Sequence, residues 1–82
     1  MYLHIGQDTV LHTQDIIGVF DLDNASQAKD TRNLLRRRER EGLVVTVRDG
    51  LPRSFVLLDN EAVYLTPISA GTIAKRQSVP IA

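Results

Sequence analysis

Two short runs set the strongest constraint on this chain. Leu43, Val44, Val45 and Val47, then Phe55, Val56, Leu57 and Leu58, are apolar at neighbouring positions. Successive side chains of a β-strand point to opposite faces, so two strands of this composition are apolar above and below and need cover on both sides. In a chain of 82 residues cover is scarce. A domain of this size buries only roughly 60–65% of the surface its unfolded chain exposes. Small domains usually add disulfides, a metal or a partner. The chain has no cysteine, which excludes a disulfide scaffold and thiolate metal sites. His4 and His12 are its only imidazoles, without ligand-like spacing to carboxylates; no metal and no cofactor is expected. Self-association is the remaining route, and a homo-oligomer is expected.

The remaining elements follow from local pattern. Tyr2 to Ile5 and Thr9 to His12 read as two strands of a hairpin around Gly6-Gln7-Asp8. Ile16 to Phe20 is β-branched and apolar, a third strand. Asn24 is a plausible N-cap with Gln27 three residues on, and a helix runs from there to about Glu41, ended by Gly42. On its wheel Ala28, Thr31, Leu34 and Leu35 share one thin apolar side. Lys29, Arg32, Arg36, Arg37 and Arg40 fill the opposite sector, and Arg38 falls among the apolar residues. Leu43 to Val47 is the fourth strand. Asp49-Gly50 with Pro52 predicts a hairpin turn into the fifth, Ser54 to Leu58. Asp59-Asn60-Glu61 is a tight turn into the sixth, Ala62 to Thr66, and Ser69 to Arg76 predicts a short helix. One helix with a thin stripe cannot cover both sides of such a sheet, so its second side must meet another chain or the first hairpin.

The expected architecture is a small single α+β domain over residues 1–76: two β-hairpin-like units, about six short strands, around one amphipathic helix. Residues 77–82 are expected to be a flexible C-terminal tail. No signal peptide is visible and no apolar run approaches the ~20 residues that span a bilayer. A cytoplasmic protein without membrane contact is expected.

Charge narrows the function. Residues 1–23 hold Asp8, Asp15, Asp21 and Asp23 and no Lys or Arg, whereas Lys29 to Arg53 holds eight basic residues against four acidic ones. The chain as a whole is neutral. A basic middle beside an acidic head suits a polyanion, or copies stacked basic face to acidic face. Catalysis has little support. There is no Gly-rich phosphate loop, no nucleophile elbow, no His-Glu helix motif and no Cys. Asp8 and Asp15 are turn aspartates, and a cross-strand His4–His12 pair is an ordinary surface feature. No catalytic residue is assigned, and the chain is not expected to be an enzyme. Nucleic-acid binding has candidates: Arg48 and Arg53 flanking the predicted hairpin tip, then Arg36, Arg37 and Arg40 on the helix. Against the helix stands the plain alternative of a solvated face with Arg37 and Glu41 as an i,i+4 pair. No aromatic residue interleaves with these cations, so single-strand stacking is not suggested.

Four segments in order, Met1-Tyr2-Leu3-His4-Ile5-Gly6, Asp15-Ile16-Ile17-Gly18-Val19-Phe20-Asp21, Asp49-Gly50-Leu51-Pro52-Arg53-Ser54 and Tyr64-Leu65-Thr66-Pro67-Ile68-Ser69, resemble the RemA/RemB family of extracellular-matrix (biofilm) regulators, most closely its RemB-like branch. The resemblance reaches to about Arg76. It implies a DNA-binding transcriptional activator assembled in closed rings of about seven or eight copies, each copy presenting arginines to double-stranded DNA. Those arginines lie near Asp15 and at the second hairpin tip. Here Asp15 stands where the RemA branch has an Arg, and Gly50 and Leu51 where it has an Arg pair; Arg53 keeps a basic side chain found there too. The resemblance therefore carries the fold and the ring further than the DNA-binding mode. The alternative it leaves open is a ring-forming accessory protein that co-assembles with a RemA-type regulator and has little DNA affinity of its own.

Overall fold

The strand that is apolar on both faces sits in the middle of a sheet, which is where such a strand belongs. The structure is a computed structural model describing residues 2–6, 9–22, 29–47 and 50–81. β1 (Tyr2–His4) pairs antiparallel with β2 (Val10–His12), and a one-turn 3-10 helix at Thr13–Asp15 leads into β3 (Ile16–Asp21). After α1 (Lys29–Arg40) come β4 (Val44–Thr46), β5 (Ser54–Leu58), β6 (Val63–Thr66) and α2 (Ala70–Ile81). The last four strands do not lie side by side in chain order: the sheet runs β3-β5-β6-β4.

β5 lies antiparallel between β3 and β6, and β4 lies parallel to β6 at the far edge. This corrects the predicted hairpin between the fourth and fifth strands. β4 and β5 do not pair. The Val47 N–H donates to the Leu65 carbonyl at 2.8 Å, and the Arg53 N–H donates to the Thr66 carbonyl at 2.8 Å. Val47 and Arg53 are thus both anchored at the C-terminal end of β6, and Gly50 sits against Pro67, where an added Cβ would lie 3.2 Å from the proline ring. The physical reason is burial. A strand buried on both faces has no water at its backbone edges, so β5 needs a paired strand on either side, and the antiparallel β5–β6 hairpin through Asp59-Asn60-Glu61 supplies one of them locally. β4 then takes the free edge of β6. The expected two hairpin-like units around one helix are thus one outer hairpin and a four-stranded mixed sheet, with two helices among the described residues.

The first face of the sheet carries Val56, Leu58 and Val19. Leu3 and Leu11, opposite each other in the outer hairpin, join them with Ile5, Val47 and Ile73 of α2 in one core. Thr66 ties the layers: its buried hydroxyl donates to the Ile5 carbonyl and accepts from the Ile68 N–H at 3.2 Å. Ser54 Oγ donates to the Ile68 carbonyl at 2.6 Å. Gly6 admits the hairpin to this layer, because a methyl there would overlap Cγ1 of Val47. The second face carries Phe55 and Val63, both buried outside that core. Phe20 stacks on Phe55 with centroids 4.9 Å apart, and α1 packs beside β4. One protomer thus shields the centre of its sheet on both sides. The first hairpin, with α2, is the cover the sequence left open between hairpin and second chain. Large apolar side chains remain exposed on the sheet's edge strands, Ile17 and Phe20 on β3 and Val45 on β4.

α1 ends as its sequence dictates. Gly42 has φ +73°. Its N–H donates to the Glu39 carbonyl at 3.1 Å and the Leu43 N–H to the Arg38 carbonyl at 2.8 Å, the pair of reverse bonds that closes a helix on a left-handed glycine. The start assigned to Asn24, with Gln27 and Ala28, lies outside the described residues, as do Asp8, Arg48 and Asp49. α2 continues beyond Arg76, the predicted end of that helix. The two histidines do not oppose each other: Tyr2 faces His12, rings 4.4 Å apart, and His4 faces Val10.

Candidate nucleic-acid interface

α1 presents the arginines its wheel requires. Thr31, Leu34, Leu35 and Arg38 are half-buried, and every other residue from Lys29 to Arg40 is exposed. The sheet therefore takes the thin stripe, Arg38 packs with it, and Arg32, Arg36, Arg37 and Arg40 stand in solvent. Arg38 Nε is shielded and has no hydrogen-bond partner among the described residues. Arg36 and Arg40, one helical turn apart, line a shallow open groove with Glu39.

The simple ion-pair account of this face is not realised. Arg37 and Glu41 meet through the backbone, Glu41 N–H to Arg37 carbonyl at 3.1 Å. Among the described residues no carboxylate pairs with Arg32, Arg36, Arg37 or Arg40. Part of the cluster has a local role all the same. Arg37, Arg38 and Arg40 occupy the last turn, where cations oppose the negative end of the helix dipole.

Arg53 projects from a backbone held at two points. Its N–H is bound to the Thr66 carbonyl, and its own carbonyl accepts from the Leu22 N–H at 3.0 Å. It is exposed, at the end of the sheet where β3 finishes. The C-terminus of α1 lies at the opposite end. Leu43, just past the helix, accepts from the Val63 N–H at 2.8 Å, and Val63 pairs with Leu57. Four residues of β5 at ~3.3 Å rise put roughly 13 Å of sheet between the two groups. Arg53 and the C-terminal end of α1 thus lie toward opposite ends of the sheet.

The positions that resemble arginine sites are also placed. Asp15 is half-buried in the 3-10 turn, and its carbonyl accepts from the Asp59 N–H at 2.9 Å. Gly50 and Leu51 lie on the segment between β4 and β5, and Leu51 is 87% exposed. One cation the sequence did not single out is Arg76, whose Nη1 donates to the His4 carbonyl at 3.2 Å. An interaction between residues 72 positions apart has no local signal. No group of three or more His, Cys, Asp or Glu that could hold a metal occurs among the described residues. No helix among them is long and apolar enough to cross a membrane.

What the described residues display, then, is a small mixed-sheet α+β module whose surface chemistry is unpaired guanidinium. Residues 2–77 match the family model described as extracellular matrix regulatory protein A-like, RemA-like. Over 76 residues, 93% of this chain and 89% of the other, it is 34% identical to extracellular matrix regulatory protein B of Bacillus subtilis (strain 168). The chain belongs to the RemA-like family, and within it is similar to the B protein. The family's name is that of a regulator of extracellular matrix and not of a catalyst.

Proposed function

We propose that this chain is a cytoplasmic, ring-forming, DNA-binding transcriptional regulator of extracellular-matrix (biofilm) genes that holds DNA phosphates through arginines repeated around the oligomer. One observation carries the reading: the exposed arginines of α1 have no carboxylate partner among the described residues. Guanidinium groups left free to the solvent are available to phosphate oxygens, which they grip through two parallel N–H bonds. Repetition converts weak single contacts into useful affinity, because each further contact forms within the same complex. The ring is supported by the edges of the sheet. β3 and β4 are its two edge strands, each with exposed apolar side chains, and joining unlike edges of successive copies closes a ring when the rotation allows.

A second reading is favoured by Asp15, Gly50 and Leu51, which leave one acidic and two neutral side chains at positions that are basic in the RemA branch. It is an accessory ring protein that co-assembles with a RemA-type regulator and binds DNA weakly on its own. Two measurements separate the readings. Light scattering reports the mass, and a stable monomer refutes the ring. Mobility shift of double-stranded DNA at low and higher salt reports binding; no retardation at low salt selects the accessory role. Arg53→Ala should weaken binding to every duplex alike, since phosphate contacts position the protein and read no base. A loss confined to one sequence would contradict that assignment.

A further inference from the structure

We draw no further inference here: the strongest candidate, the shallow open groove that Arg36, Glu39 and Arg40 line on the exposed side of α1, belongs to the site already described, and nothing in the structure points to a ligand for it other than the phosphates proposed above.

Discussion

Replacing Thr66 with valine should unfasten the outer hairpin from the sheet at almost constant volume. The Thr66 side chain is fully buried, and its hydroxyl serves two backbone groups, the Ile5 carbonyl and the Ile68 N–H. Ile5 is itself buried, so its carbonyl would lose its donor where water cannot replace it, at a cost of about 1–3 kcal/mol. The half-buried Ile68 N–H would add about 0.5–1.5 kcal/mol. The sum, roughly 1.5–4.5 kcal/mol, lowers the melting temperature of a domain this size by about 4–8 °C for each kcal/mol. Thr66→Ser is the control. It keeps the hydroxyl, loses one methyl, and should cost only about 1 kcal/mol. Thermal and urea unfolding would be followed by circular dichroism at one fixed protein concentration, since self-association makes apparent stability depend on concentration. A Thr66→Val chain within about 0.5 kcal/mol of wild type, or one more stable than Thr66→Ser, would refute the claim that this hydroxyl joins the layers.

Gly6→Ala should force Val47 aside and destabilise by about 1–3 kcal/mol, the usual cost of overpacking a close approach, and Gly6→Ala with Val47→Ala should recover part of it in the same unfolding assay. Gly42→Ala meets no atom within 4 Å, so its cost is backbone strain alone, about 1–2 kcal/mol for an L-residue in the left-handed region; a neutral result would argue against the observed helix end. Arg36→Ala, Arg37→Ala and Arg40→Ala combined should make the plot of log affinity against log salt shallower by about 0.9 for each phosphate no longer neutralised, and an unchanged slope in a DNA titration would remove α1 from the interface.

The parts of the fold that were legible in the sequence are those decided by neighbours in the chain. Over the described part of α1 the packing side was readable: Thr31, Leu34, Leu35 and the anomalous Arg38 are the half-buried set, while Ala28 of the expected stripe lies outside the described residues. The outer hairpin, the Asp59-Asn60-Glu61 turn and the left-handed Gly42 were equally local. The partner of β4 was not. Asp49-Gly50 announces a reversal of direction, and the chain does reverse, but turn chemistry does not say which strand lies alongside after it. That is settled by β5 needing two neighbours, a demand distributed over Phe20, Phe55, Val56 and Val63. The same limit applies to the surface. Composition showed that α1 is basic, whereas only three-dimensional placement shows its arginines without carboxylates among the described residues and Arg53 at the other end of the sheet.

The parallel pairing of β4 with β6 has a consequence for the order in which the chain acquires structure. The two strands face each other as Val44 with Val63 through Thr46 with Leu65, and β5 with its turn lies between them along the polypeptide. The β5–β6 hairpin can zip up on its own because its ends are near each other. β4 must wait beside α1 until that unit exists, then be laid along its outer margin. On a ribosome, where residues emerge one after another, the segment from Leu43 to Val47 is made early and seated late, and its valines are what a nascent chain of this kind has to keep from straying.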